Sequence, residues 1–178
     1  MASHDSAKRR LTILGSTGSI GTNTLDVIER LGGRERFDVV AVTGNGNIPL
    51  LAEQAVKVRA ELAVTANDSQ YENLKAALAG TGIQVAAGKS GLIEAAERSA
   101  DWVMAAIVGN AGLAPTLAAA RRGADIALAN KECLVSAGSL FIDAVKKGGG
   151  RRFRSTANTM PSSRFWKNTS AMRSSASS

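Results

Sequence analysis

A chain of 178 residues, 44% hydrophobic and without an apolar run of 18 residues, has enough material for one buried core and none for a membrane span. Its formal charge of +7 would suit nucleic acid, yet residues 1–150 carry 16 basic and 15 acidic side chains while residues 151–178 carry six basic and no acidic ones. The single cysteine, Cys133, excludes an internal disulfide framework and suits a reducing compartment, so a cytoplasmic location is expected.

Residues 1–8 are polar, hold the only histidine, His4, and are expected to be disordered and solvated. Lys8-Arg9-Arg10 precede only four apolar residues before Gly15, too few for the apolar region of a signal peptide. That short run, Leu11 to Leu14, reads as a strand that breaks into Gly15-Ser16-Thr17-Gly18-Ser19-Ile20-Gly21 and restarts as a helix. Three glycines there permit a tight turn, close approach of a pyrophosphate and close packing of the helix, whose first N–H groups face an anion. The spacing is G-x-x-G-x-x-G rather than G-x-G-x-x-G, so the likeness to a dinucleotide loop is one of mechanism; an ordinary strand-to-helix turn remains the plain alternative.

The helix that follows keeps Ile20, Leu25, Ile28 and Leu31 at near-helical spacing and ends at Gly32-Gly33. Further strands are predicted near 38–43, 61–65, 83–86, 101–107 and 125–129, after the first at 10–14, with helical patterns between them. Alternation of this kind specifies an α/β fold: a Rossmann-like, doubly wound, mainly parallel sheet with helices on both faces, spanning residues 9–150. Ligands of such sheets sit at the carboxyl ends of the strands. Those ends are Gly15 to Gly21, Thr43 to Asn47, Gly109 to Gly112 and Asn130 to Glu132.

The second strand ends in Thr43-Gly44-Asn45-Gly46-Asn47, where an NAD-binding chain places a carboxylate for the ribose hydroxyls. Asn side chains and glycine N–H groups can instead donate to a 2′-phosphate, which favours NADP; a turn before the next helix explains the same residues. After the strand at 125–129, Asn130, Lys131 and Glu132 put an amide, a cation and a carboxylate at the mouth of the sheet. Lys131 can hold a substrate anion with Asn130 and Glu132 orienting polar groups, or Asn130 can simply cap the following helix. Cys133 has no neighbouring histidine and reads as a small buried residue.

Three ordered motifs make the chain recognisable: Gly15 to Gly21, Met104-Ala105-Ala106-Ile107-Val108-Gly109 with Gly112-Leu113-Ala114-Pro115-Thr116-Leu117, and Leu128-Ala129-Asn130-Lys131-Glu132. Over residues 9–149 the sequence resembles the 1-deoxy-D-xylulose 5-phosphate reductoisomerase family. The resemblance implies an NADPH-dependent oxidoreductase that converts a phosphorylated sugar, 1-deoxy-D-xylulose 5-phosphate, to 2-C-methyl-D-erythritol 4-phosphate in non-mevalonate isoprenoid biosynthesis. It implies that Thr17, Gly18, Ser19 and Ile20 hold the pyrophosphate, Gly44, Asn45, Gly46 and Asn47 the adenosine end, Asn130 and Glu132 the nicotinamide side, and Lys131 the substrate. A homodimer and a divalent metal, Mg or Mn, are implied as well. Asn45 stands where many members carry a basic residue.

In the family pattern a segment like Leu-Pro-Val-Asp-Ser-Glu-His-Asn follows, whose Asp and Glu bind the metal, and then a catalytic and a helical C-terminal domain. Residues 151–178 show neither that segment nor any Asp or Glu, only eight serines, six basic residues and aperiodic Phe153, Phe165 and Trp166. Read one base out of register, however, codons for this tail can encode the Leu-Pro-Val-Asp-Ser-Glu-His-Asn run, and Met160-Pro161 and Trp166-Lys167 force the Ala and Glu that continue it. The tail is therefore expected to be frameshifted from about residues 150–152 and disordered. No catalytic or metal-binding residue is assigned within the chain, which is expected to be an inactive NADPH-binding part of the enzyme. The alternatives are an NADP-binding module without activity and a nucleic-acid binder acting through the basic tail.

Overall fold

The computed structural model describes residues 8–129, 143–144, 146–149 and 152–154. Seven parallel strands form one sheet: β1 (Arg9–Leu14), β2 (Phe37–Gly44), β3 (Leu62–Thr65), β4 (Gln84–Ala87), β5 (Trp102–Ala105), β6 (Asp125–Leu128) and β7 (Arg152–Arg154), in the spatial order β4-β3-β2-β1-β5-β6-β7. Between them run α1 (Ser19–Arg30), α2 (Ile48–Val58), α3 (Tyr71–Ala77), α4 (Gly88–Glu97) and α5 (Leu113–Arg122), and residues 143–144 and 146–148, ahead of β7, are helical as well. Strand order runs outward from β1 in one direction through β4 and in the other from β5, so the topology reverses between β1 and β5. A crevice for ligand opens at such a reversal, outside the carboxyl ends of the two strands.

The apolar residues divide into two cores because strand side chains alternate between faces. One core joins Leu25 and Ile28 of α1, Leu51 and Ala55 of α2 and Leu74 of α3 to Leu11, Ile13, Val42, Ala63 and Met104 of the sheet. The other joins Leu92 and Ala96 of α4 and Ala119 of α5 to Leu14, Ala41, Leu62, Val64, Val103 and Ile126. Val39 and Val42 face the same core although three residues apart. A bulge explains this: Leu11 pairs with Val39 but Thr12 pairs with Ala41, leaving Val40 as the extra residue.

The alternating reading of the sequence is matched closely, with two differences. The strand expected at 101–107 ends at Ala105, because β1 stops at Leu14 and the last ladder bond there runs from the Ala106 N–H to the Leu14 carbonyl. Arg152–Arg154, in the segment expected to lack regular structure, pairs with Ile126, Ala127 and Leu128 as an edge strand. Backbone groups alone make that ladder, so it needs no apolar alternation. The turn that ends α1 follows the expected glycines: Gly32 has φ +112° and the 3-10 turn Gly33–Glu35 leads into β2.

Arg122 on α5 is held by its guanidinium, which donates from Nη2 to the Ala100 carbonyl at 2.7 Å and from Nε to the Ala96 carbonyl at 3.5 Å. Burial lowers its pKa from the usual arginine value, opposed by the carboxylate of Asp101. Ile126, fully buried on β6, is the simplest probe of the second core. Ile126→Ala is expected to cost about 2–5 kcal/mol, read as a lower urea midpoint at unchanged slope; an unchanged midpoint contradicts the packing described.

Candidate functional site

The chain leaves β1 at Gly15 with φ +89°, a conformation that favours glycine, and a Cβ there would lie 2.8 Å from the Ala106 backbone at the end of β5. The turn thus occupies the β1/β5 reversal itself. Gly21 sets the second close approach: a Cβ on it would lie 2.2 Å from the Gly15 carbonyl and 2.5 Å from the Ser16 Cα. Only a bare backbone lets α1 start this near the end of β1. Gly18 is different, with extended φ of −78° and, for an added Cβ, only the Gly15 carbonyl at 3.7 Å. Its open side faces away from the fold.

Gly18 is the N-cap of α1, and no side chain caps that terminus. Its first turn, Ser19 to Thr22, contains no carboxylate. Gly18 and Ser19 are exposed and Thr17 and Ile20 half-buried. The N–H groups at an uncapped helix start carry partial positive charge, which makes this an anion site presented to solvent at the crevice. An added Cβ at Gly18 would meet only the Gly15 carbonyl, at ordinary contact distance, so the space in front of the helix start has room for an anionic group.

The β2 end is tied to the same turn. Thr43 Oγ1 accepts from the Gly15 N–H at 2.8 Å, while the Thr43 carbonyl accepts from the Ser16 N–H at 2.7 Å and from Ser16 Oγ at 3.2 Å. Thr17 packs over Gly44, where a Cβ would lie 2.9 Å from its methyl group. The structure therefore brings the expected pyrophosphate loop and the expected adenosine-end loop into contact. Beyond Gly44, Asn45, Gly46 and Asn47 are exposed. The loop is fixed from β3: Thr65 Oγ1 donates to the Asn45 carbonyl at 2.6 Å, and the Ala66 N–H donates to the Gly44 carbonyl at 2.8 Å. Asn47 caps α2 by accepting from the Leu50 N–H at 3.2 Å, so its side-chain oxygen serves the turn. Its amide is the part suited to a ligand.

Asn130, Lys131, Glu132 and Cys133 lie outside the described residues, as does His4. Neither reading of the Asn130 triplet is decided by the geometry. At the β5 end Val108 is 81% exposed, an apolar side chain at the mouth of the crevice. In the sequence Thr43 stands only as the start of the β2 loop; its anchoring of the turn, and Gln54 altogether, went unnoticed there. Gln54 on α2 is buried and donates from Nε2 to the Ser16 carbonyl at 3.0 Å. Among the described residues no group of three or more His, Cys, Asp and Glu could hold a metal ion, and no helix is long and apolar enough to cross a membrane.

A parallel sheet whose first glycine turn and uncapped helix start meet at the strand-order reversal defines a Rossmann-type α/β domain. The model of the 1-deoxy-D-xylulose 5-phosphate reductoisomerase family matches residues 11–138, and the chain belongs to that family. The chain is 80% identical over 151 residues to the 1-deoxy-D-xylulose 5-phosphate reductoisomerase of Rhizobium meliloti strain 1021, covering 85% of this chain and 39% of that protein. Among solved structures it is similar to the Zymomonas mobilis reductoisomerase in complex with NADPH, with a TM-score of 0.80, 52% identity, and coverage of 83% of this chain and 38% of that one. A reductoisomerase in complex with NADPH, fosmidomycin and magnesium superposes with a TM-score of 0.78 at 36% identity, over 94% of this chain and 42% of that one. The chain spans about two fifths of the length of the curated relatives it matches.

The two glycines of the turn are predicted to behave oppositely. Gly21→Ala drives a methyl into backbone and is expected to cost more than about 2 kcal/mol, whereas Gly18→Ala costs under about 1 kcal/mol. Thermal melts of the two variants check this, and equal losses contradict the geometry.

Proposed function

We propose that this chain is the NADPH-binding part of a 1-deoxy-D-xylulose 5-phosphate reductoisomerase, the enzyme that forms 2-C-methyl-D-erythritol 4-phosphate for isoprenoid biosynthesis. The observation that carries the reading is the uncapped start of α1 behind Gly15 and Gly21 at the β1/β5 reversal. Membership of the family, whose solved members include complexes with NADPH, supports the choice of anion.

On this reading Thr17, Gly18, Ser19 and Ile20 hold the pyrophosphate at the start of α1, a role needing backbone and helix dipole rather than a charged side chain. Gly44, Asn45, Gly46 and Asn47 receive the adenosine end, where the lack of a carboxylate spares the 2′-phosphate repulsion. Asn130 and Glu132 orient the nicotinamide side, and Lys131 binds the phosphorylated substrate as a mobile point charge. NADPH supplies the hydride for reduction when bound. The chain's own contribution is to fix the cofactor's pyrophosphate in one place, so that the transferring carbon is held at the crevice.

Among the described residues no group of three or more His, Cys, Asp and Glu could hold the metal of the family. We further propose a change of reading frame near residues 150–152. Supporting it are the lack of any carboxylate after residue 150 and the tail codons' capacity to encode the Asp-Ser-Glu segment. Sequencing the coding DNA across residues 145–178 tests this proposal; a tail whose shifted frame lacks the Asp-Ser-Glu-His segment refutes it.

Isothermal titration is expected to show NADPH binding more tightly than NADH, and Gly18→Val abolishing binding without loss of fold. Equal affinities, or no binding by the parent chain, overturn the assignment. With NADPH, substrate and Mg²⁺ or Mn²⁺, the 178-residue chain is expected to give no turnover, while a frame-restored protein oxidises NADPH; comparable rates in both refute the reading of the tail.

A further inference from the structure

Gln54 is buried at 6% exposure on α2, a helix whose inner face otherwise packs Leu51 and Ala55 on the sheet. Its amide is only half used. Nε2 donates to the Ser16 carbonyl at 3.0 Å and lies 3.4 Å from Thr22 Oγ1, but Oε1 is buried without a hydrogen-bond partner among the described residues. A buried amide oxygen without a partner destabilises a fold, and an apolar side chain of like volume avoids that cost. The unpaired oxygen by itself therefore argues for leucine at this position, and only the Nε2 donation to Ser16 argues for the amide. Residues that oppose stability locally are retained where a site needs them.

What the amide holds is the carbonyl at the centre of the glycine turn. Ser16 is fully buried, its N–H and hydroxyl both go to Thr43, and its carbonyl receives Gln54 Nε2 and, at 3.3 Å, Thr22 Oγ1. With that carbonyl held toward α2, the Ser16–Thr17 peptide is fixed, and with it the path of the chain into the exposed helix start at Gly18 and Ser19. Thr22 lies on α1 and Gln54 on α2, helices separated by a groove of 370 Å³ that Gln54 lines. The amide thus spans from one helix to the turn that starts the other. The Lys57–Glu29 ion pair also crosses the groove, but it is more than half exposed and far weaker as a constraint.

We propose that Gln54 is a positioning residue for cofactor binding: by donating to the Ser16 carbonyl it sets the orientation in which the Gly15–Gly21 turn presents its N–H groups to a dinucleotide pyrophosphate. This rests on the NADPH-binding reading above. Gln54 touches no ligand; it acts through Ser16.

The test titrates NADP⁺, which tolerates acid, into the full 178-residue chain and three variants at pH 5 and pH 8, with melting temperatures measured alongside. Gln54→Leu keeps the volume and removes the donor, so it is expected to weaken binding about tenfold at both pH values, about 1.4 kcal/mol, while melting at or above the parent temperature. Gln54→Glu places a carboxylate against the Ser16 carbonyl at pH 8 and a donating carboxylic acid at pH 5, burial raising its pKa. It is expected to bind at least about tenfold more weakly than the parent at pH 8 and within about threefold of it at pH 5. Glu53→Gln, one residue away and exposed, is expected to bind as the parent does.

Failure of the parent chain to bind NADP⁺ overturns the cofactor reading and this proposal with it. If the parent binds and Gln54→Leu binds equally well, positioning by Gln54 is overturned alone, whatever the glutamate variant does. If Gln54→Leu does not fold, the glutamate variant decides: recovery at pH 5 supports the donor role, and equally weak binding at both pH values refutes it.

Discussion

Everything at the crevice depends on one steric constraint, the contact of bare backbone between Gly21 and Gly15. With Gly15 carbonyl and Ser16 Cα where a methyl on Gly21 would be, α1 begins almost directly on the end of β1. That closeness places the helix's unsatisfied N–H groups at the strand-order reversal and not a turn further out. The macrodipole then acts on whatever occupies the crevice, since its influence is confined to the first turn. Gly15 completes the constraint from the other side, by admitting the backbone of Ala106.

A turn of glycines is conformationally costly to hold, because glycine loses more freedom on ordering than other residues. Here the loss is offset by a hydrogen-bond set concentrated on Ser16 and Gly15. Thr43 binds the N–H groups of both, and Gln54 and Thr22 bind the Ser16 carbonyl. The turn is thus anchored to β2, to α2 and to α1 at once, and the exposed residues that follow it need no anchoring of their own. Rigid support beneath an exposed binding loop is what keeps its geometry fixed before ligand arrives.

The sheet supplies the frame for that support. Alternation puts α1, α2 and α3 on one face and α4 and α5 on the other, each over its own apolar layer. The bulge at Val40 adjusts β2 against β1 just before Thr43, where the polar contacts to the turn begin. A helix packed on each face of parallel strands leaves the carboxyl edge as the place where loops from β1, β2 and β5 converge.

Strand and helix order, the apolar strands buried on both faces, the glycine turn and the absence of a carboxylate after β2 were legible in the sequence by itself. Those features are local: an apolar run of a few residues, a helical spacing, glycines at a turn. The division into two cores across the bulge at Val40, the seat of Thr17 on Gly44, the capping role of Asn47 and the anchoring by Thr43 and Gln54 were decided only by tertiary structure. Thr43 stands 28 residues from Gly15 and Gln54 stands 38 from Ser16. A threonine inside an apolar strand and a glutamine inside a helix carry no local mark of a partner, because the hydrogen bond that gives each its purpose exists only once the sheet has brought distant segments together.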